Sequence, residues 1–365
     1  MKEVVVFAPL WSKLPISGYG AIEVLTLERV KYLRLAGYKV QLVAETDDYS
    51  LADEVLVPGN MYRFPDSRFK GALSIMSLKW TKYLSQFIRL SNSIWDAPIL
   101  SDASSMDPFN NYFLAHNFGE MRLLFFLHGN YYFSNGIGNI IYYPIDKITG
   151  ISRKVNYGAL NSQLRTVMVE RGMKCFYTPN GIEFPSISEV ETSPEDYLLF
   201  VGKLTRDKAP HLAIKIARSL KMPLKIAGPI GERKYFETFV KPNIGGEIKY
   251  LGHIHRNVLN EVFKKASALI VTSDWNDPQP TVILEAMRYG VPVLALNLAK
   301  YSGIYDMIEN GITGYIGNEE DILRRAKGAL EINRTTIYNY AKSKWSWEKV
   351  LEKYHLPVIR ELAQR

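Results

Sequence analysis

The sequence predicts two α/β domains, each built on a parallel sheet whose strands are joined by crossover helices. Three observations carry this. A chain of 365 residues is longer than one ordinary core serves. Short apolar, β-branched runs alternate with longer stretches of helical period. One stretch without periodicity, 179–197, holds Pro179, Gly181, Pro185 and Pro194 with the acids Glu189, Glu191, Glu195 and Asp196, and reads as an interdomain linker.

The first unit shows the pattern in order. Val4 to Ala8 reads as a buried strand, and Gly18-Tyr19-Gly20 as a glycine loop. Ile22 to Leu35 reads as a helix with Ile22, Leu25, Val30 and Leu33 apolar. Gly37 stops that helix, and Val40 to Ala44 forms the next strand. Further strands are expected at Leu123–Leu127, Lys174–Tyr177, Leu198–Val201, Leu224–Ala227, Ile248–Leu251, Ala268–Val271 and Val293–Leu296, and an amphipathic helix at Trp347–Leu362. The expected domains are 1–183, 184–344 and a C-terminal helix, 345–365, crossing back to the first.

With 47% hydrophobic and 22% charged residues, the chain has enough apolar surface for two cores and is not a disordered one. Its single cysteine, Cys175, excludes an internal disulfide, and no Cys or His cluster has the spacing of a zinc site. The start, Met1-Lys2-Glu3 followed by Val4-Val5-Val6-Phe7-Ala8, reads as a strand rather than a signal peptide, and no apolar run approaches the ~20 residues of a membrane span. A cytoplasmic location is expected. The net charge of +8 favours an anionic partner, either nucleotide phosphates, a lipid headgroup or nucleic acid.

The most informative stretch is Trp275-Asn276-Asp277-Pro278-Gln279-Pro280-Thr281-Val282-Ile283-Leu284-Glu285-Ala286-Met287. Asp277 sits in a proline-rich turn, and Glu285 sits on a helix expected to start near Thr281. Such a helix, following a strand that ends near Thr272, points unpaired N–H groups at the crevice where open α/β sheets bind ligands, and favours phosphate there. Glu285, one turn in, is placed to accept hydrogen bonds from vicinal hydroxyls such as those of ribose. The competing reading is an ordinary solvated glutamate. A second stretch, Phe200-Val201-Gly202-Lys203-Leu204-Thr205-Arg206-Asp207-Lys208-Ala209, offers cations at 203, 206 and 208 just after a strand. That arrangement suits a pyrophosphate, although basic loops often only face water.

These residues resemble those of glycosyltransferase family 4, the retaining enzymes of the GT-B fold. Asp277 and Glu285 stand at the spacing of the family's Glu-x7-Glu signature, followed by Ala286-Met287 and Gly290-Val291-Pro292-Val293. Glu309-Asn310-Gly311-Ile312-Thr313-Gly314-Tyr315 resembles its Asp-Gly-x-Thr-Gly turn. Val201-Gly202-Lys203-Leu204 with Asp207-Lys208 resembles its phosphate pair, and Thr178-Pro179-Asn180-Gly181-Ile182 its linker entry. Ala8-Pro9-Leu10-Trp11 and Gly18-Tyr19-Gly20-Ala21-Ile22-Glu23 resemble the opening of one subgroup. Six segments in the family's order make chance matching a poor explanation.

The resemblance implies two Rossmann-like domains with parallel sheets facing across a cleft, an N-terminal acceptor domain and a C-terminal donor domain. It implies transfer of a hexose-type sugar from a UDP- or GDP-sugar to an acceptor hydroxyl of a glycan, lipid or small molecule, with retention, by front-face attack and without a metal or other cofactor. Gly202, Lys203 and Lys208 fall on the donor diphosphate and Glu285 on the ribose. Asp277 and the backbone of Gln279, Pro280 and Thr281 fall on the transferred sugar. Gly20 lets an N-terminal loop approach the phosphates, and His128 lines the sugar from the N-terminal domain. The competing reading of His128 is a buried histidine satisfied by backbone. Asp277, Lys203, Ala21 and Ala209 depart from the family's Glu, Arg, Gly and Gly. A point charge replaces a fork at 203, and a methyl is added at 21, so the donor or its affinity is expected to differ from the norm.

Other readings fit less well. A periplasmic-type sugar-binding protein needs no phosphate lysines and carries an export signal. A dinucleotide-dependent oxidoreductase wants a glycine where Glu23 stands and an acid better placed than Glu45. An epimerase or phosphorylase of the same fold is the runner-up within the enzymes. On the acceptor side, Arg63, Arg68, Lys70, Lys79, Lys82 and Arg89 face the single acid Asp66, and Leu73, Met76, Trp80, Tyr83, Leu84 and Phe87 recur at helical spacing. This segment reads as a crossover helix packed on the sheet, or as a basic amphipathic helix touching an anionic membrane or lipid acceptor. A nucleic-acid partner is not expected.

Overall fold

The computed structural model describes residues 2–9, 13–15, 20–57, 97–102, 122–128 and 155–364. Gly18 and Tyr19 of the glycine loop, Leu10 and Trp11, and the basic segment 63–89 lie outside the described residues. The chain forms two compact units, one of 1–181 with 347–365 and one of 182–346.

The first unit is a seven-stranded parallel sheet. Its strands are β1 (Lys2–Phe7), β2 (Tyr38–Val43), β3 (Glu54–Leu56), β4 (Ile99–Ser101), β5 (Leu123–Leu127), β6 (Asn156–Ala159) and β7 (Lys174–Tyr177), in the order β3-β2-β1-β4-β5-β6-β7. The order reverses between β1 and β4. In β1, Val4 and Val6 enter one core layer with Leu33 and Leu42, while Val5 and Phe7 enter the other with Leu123 and Phe125. Both faces are therefore covered, as the unbroken apolar runs of parallel strands require. Helix α1 (Ala21–Leu35) crosses from β1 to β2, and Gly37, at φ 84°, ends it in the left-handed conformation. Helix α2 (Ser162–Glu170) starts on an Asn161 side-chain cap.

The second unit is a six-stranded parallel sheet. It contains β8 (Leu198–Val201), β9 (Leu224–Ala227), β10 (Ile248–Gly252), β11 (Ala268–Val271), β12 (Val293–Leu296) and β13 (Gly314–Gly317), in the order β10-β9-β8-β11-β12-β13. Its reversal falls between β8 and β11. Helices α3 (Pro210–Leu220), α4 (Arg256–Lys265), α5 (Thr281–Met287), α6 (Glu319–Leu330) and α7 (Arg334–Trp345) follow the strands. The irregular stretch after Ile182 is tied into this unit: Glu195 pairs with Lys225 (3.1 Å) and Lys265 (3.2 Å), and Glu189 with Lys264 (2.9 Å).

The expected strands are present with shifts of a residue or two at their ends. Four more strands occur, at 54–56, 99–101, 156–159 and 314–317. The first two have three residues each. The others, Asn-Tyr-Gly-Ala and Gly-Tyr-Ile-Gly, lack the β-branched run that marks a strand.

Residues 347–363 return to the first unit as a helical turn (Trp347–Val350), a π-type stretch (Leu351–His355) and a final helix (Leu356–Ala363). Trp347 is fully buried, stacks on Tyr32 at 6.2 Å and donates from Nε1 to Glu28 Oε2 at 2.7 Å. A Cβ on Gly181 would stand 2.7 Å from the Trp347 Cα, so glycine is what lets the two backbones touch.

Beside Trp347 lies a buried polar cluster. Arg29, with no exposed surface, donates to Asp102 Oδ2 and to Asn180 Oδ1 (3.0 Å), and its guanidinium lies 3.8 Å over the Phe126 ring. Thr26 Oγ1 donates to the same Asp102 oxygen at 2.8 Å. His355 donates from Nε2 to the carbonyl of Pro179 at 2.8 Å and leaves a buried Nδ1 without a partner among the described residues. Burial, reinforced by the Arg29 charge, pushes the His355 imidazole down to about 3. Burial alone would raise the Asp102 carboxyl, but Arg29 and His128 outweigh it and hold the group at about 2.

Replacing Trp347 by alanine should therefore destabilise the first unit by about 3–5 kcal/mol and leave the second unit's urea transition in place. A single unshifted transition in the variant would contradict that packing. The cluster also sets a pH dependence. An unfolded histidine takes its proton near pH 6.5 and folded His355 does not, so stability is complete above that value and falls by about 1.4 kcal/mol per pH unit down to about pH 3. Asp102 adds a loss of the same sign between about pH 4 and pH 2. Urea midpoints of the first unit at pH 7 and pH 5 check this, and equal midpoints would refute it.

Candidate active site

In an open parallel sheet the carboxyl ends of the two strands at the reversal diverge and leave a crevice for ligand. In the second unit those strands are β8 and β11, paired through Leu198↔Ala268 and Leu199↔Leu269. The loop after β8 is Gly202–Ala209, and the turn after β11 is Thr272–Pro280. The two stretches singled out from the sequence are thus neighbours at one strand end.

Their contacts are specific. Lys208 Nζ lies 2.7 Å from Asp277 Oδ2, with the lysine and aspartate side chains 25% and 20% exposed, so the pair is formed at an accessible surface rather than in the core. Asp277 Oδ1 accepts from the backbone N–H of Gln279 at 3.2 Å, which fixes the turn, and the Asp277 carbonyl accepts from Gly303 at 2.8 Å. Gln279 is buried, Pro280 precedes α5, and Thr281 is its first residue. First-turn amides of a helix have no partner within it. Glu285 stands on the same helix, with Oε1 3.9 Å from Arg256 of α4.

The loop is held from below by a residue that the sequence does not advertise. Thr272, fully buried, shares its hydroxyl proton between the carbonyls of Lys208 (2.9 Å) and Ala209 (3.0 Å), while Ser273 Oγ donates to the Asp207 carbonyl at 3.3 Å. Ala209 adopts φ 47° and ψ 48°, a left-handed conformation that costs an L-residue about 1–2 kcal/mol. This is the position where the resemblance expects glycine, and the Thr272 clasp helps to hold alanine there. The Arg206 backbone N–H donates to Glu232 at 3.2 Å. A Cβ built on Gly202 meets only the Phe200 ring, at 3.6 Å, so internal packing does not demand glycine at this loop entry. Lys203 lies along Gly231, where a side chain would collide with the lysine stem at 2.6 Å.

Gly20 and His128 belong to the first unit. Gly20 precedes α1 with φ 172°, an extended conformation open to any residue. His128 follows β5, and its Nε2 stands 2.6 Å from Asp102 Oδ1. Its side chain is therefore satisfied by a carboxylate rather than by backbone. Burial pushes the Cys175 thiol up to about 12, which removes it as a nucleophile. Among the described residues, no three His, Cys, Asp or Glu side chains gather as metal ligands, and no helix is long and apolar enough to cross a membrane.

Residues 184–342 match the family described as "Glycosyl transferases group 1". A Klebsiella pneumoniae protein described as an uncharacterized 41.2 kDa protein in the cps region is 32% identical over 127 residues, 34% of this chain and 33% of that protein. The matched stretches span from a third to a half of the length of the curated relatives. Among solved structures, AviGT4, a glycosyltransferase involved in avilamycin A biosynthesis, superimposes with a TM-score of 0.68 at 17% identity, covering 100% of this chain and 98% of that one. Anabaena Alr3699/HepE in complex with UDP-glucose superimposes with a TM-score of 0.68 at 14% identity, covering 100% of both. The fold is thus that of GT-B glycosyltransferases, and the family match falls on the second unit.

Proposed function

We propose that the protein is a retaining glycosyltransferase that moves a hexose-type sugar from a UDP- or GDP-sugar to the hydroxyl of a glycan, lipid or small-molecule acceptor. The observation that carries this reading is the Lys208–Asp277 pair at the β8/β11 strand ends, with Glu285 on the helix that follows. HepE, of the same fold, was solved with UDP-glucose.

In this reading residues 184–344 bind the donor and residues 1–183 the acceptor. Lys203 and Lys208 hold the diphosphate, Gly202 lets it approach, and Glu285 accepts from the ribose hydroxyls. Asp277 and the backbone of Gln279, Pro280 and Thr281 hold the transferred sugar, Gly20 belongs to the loop that meets the phosphates, and His128 contacts the substrate. The departing diphosphate gains charge as the glycosidic bond breaks, and a lysine aimed at it stabilises that charge by about 3 kcal/mol. With the Lys208–Asp277 pair already made, donor binding exchanges one anionic partner of the lysine for another. The segment 63–89 is proposed to contact an anionic membrane or lipid acceptor, with the protein at the cytoplasmic face.

Lys208→Ala and Glu285→Ala should each lower acceptor-dependent release of nucleoside diphosphate about 10²–10³-fold or more while leaving the melting temperature nearly unchanged. Turnover near that of the unmodified protein in either variant would remove the site assignment. Acceptor-dependent release also separates a transferase from an epimerase. A thermal-shift series with UDP- and GDP-sugars should single out one donor, since a ligand at 100 times its Kd stabilises the folded state by about 2.7 kcal/mol. No shift with any nucleotide sugar would count against the donor reading.

A further inference from the structure

In the first unit the sheet order reverses between β1 and β4, and Asp102 is the first residue after β4. It has no exposed surface, and two of the three groups at its carboxylate, Arg29 and Thr26, donate to it. Oδ2 receives the Arg29 guanidinium and the Thr26 hydroxyl at 2.8 Å, and Oδ1 faces His128 Nε2 at 2.6 Å. Arg29 cannot act as an acceptor and does not lose its charge in a protein, so Asp102 beside it is a carboxylate and an acceptor only. The proton in the Asp102–His128 hydrogen bond then belongs to Nε2. A neutral imidazole with its proton on Nε2 has a lone pair on Nδ1, and Nδ1 makes no hydrogen bond among the described residues.

The ring is held as well as polarised. The His128 backbone N–H donates to the Phe126 carbonyl at 3.2 Å, and the Phe126 ring contacts the Arg29 guanidinium at 3.8 Å and the His355 ring at 5.5 Å. Arg29 is fixed in turn by Asn180 at 3.0 Å. The carboxylate that orients His128 is thus anchored on α1 and on the segment before Gly181, with no freedom to turn away.

We propose that Asp102 is a positioning residue that fixes His128 as the Nε2–H tautomer, so that Nδ1 accepts a hydrogen bond from a hydroxyl of the sugar substrate. The proposal rests on the transferase reading for its substrate and on the Asp102 contacts for its tautomer. It explains why a fully buried ion pair is kept at a strand end where an apolar pair would fill the same space.

The test is nitrogen NMR on the full chain labelled in its six histidines, with the His128 signals identified by their loss in His128→Gln. The expected spectrum shows Nε2 protonated and Nδ1 unprotonated at neutral pH. In Asp102→Asn the new amide must keep its oxygen on Arg29 and Thr26, which turns its NH2 group toward His128 and moves the ring proton to Nδ1. Turnover in that variant should fall on the order of 10²–10⁴-fold. His128→Asn, whose amide oxygen sits near the Nδ1 position, should retain more turnover than His128→Gln, which keeps only the Asp102 contact. A wild-type spectrum with Nδ1 protonated or with mixed tautomers overturns the proposal, and this holds even if Asp102→Asn does not fold. A folded Asp102→Asn with an unchanged tautomer overturns it equally. The spectra need no turnover, so failure to transfer sugar from any nucleotide donor would sink the functional reading and leave the tautomer result standing by itself.

Discussion

An arginine with no access to water has to be compensated inside the protein, and Arg29 draws four segments together through its two terminal amino groups and its flat face, while its Nε has no partner among the described residues. Its charge meets Asp102 after β4, its second amino group meets Asn180 before the unit boundary, and its flat face covers Phe126 of β5, all from its own place on α1. Removing one partner from such a cluster leaves an uncompensated buried charge, which costs about 3–5 kcal/mol. That cost is a penalty for disorder rather than a gain from pairing, and it makes the relative placement of α1, β4, β5 and the 178–181 segment nearly a single solution. The crevice side of the first sheet inherits its geometry from that solution.

The second unit solves the equivalent problem with neutral groups. Thr272 lies under the loop after β8, and one hydroxyl proton serves two carbonyls of that loop. The loop can then carry a left-handed alanine and a lysine at its rim, with Asp277 supplying the lysine's partner from the next strand end. A loop held this way has little backbone freedom left to lose, because its conformation is already committed.

Much of this was legible in the amino-acid order. Val4–Ala8, Leu123–Leu127 and Val293–Leu296 are apolar throughout because both faces of a parallel strand are covered, and such runs stand out. The turn at Asp277 and the helix from Thr281 were marked by Pro278, Pro280 and the helical spacing beyond them. Strands such as 156–159 were not legible, because Asn156, Tyr157, Gly158 and Ala159 owe their conformation to neighbours on both sides rather than to propensity. Thr272 and Asp102 were equally silent. A threonine after a strand and an aspartate after another are common, and what distinguishes these two is a set of partners 26 to 76 positions away in the chain. Ala209 was noticed as a departure from a glycine pattern, but only its φ shows that the backbone there kept the glycine-like conformation while the residue changed.

The return of residues 347–363 to the first unit has a consequence for the order of events during synthesis. The second unit, 182–346, is contiguous and can assemble as soon as it leaves the ribosome. The first unit is begun earlier and finished later, since Trp347 and His355 arrive only after the whole second unit has been made. Until then the His355 ring is not stacked on Phe126 and the Pro179 carbonyl has not received the His355 hydrogen bond. The unit translated first is therefore the one that completes its core last, and the nascent chain carries an exposed apolar seam for the time needed to translate the entire second unit.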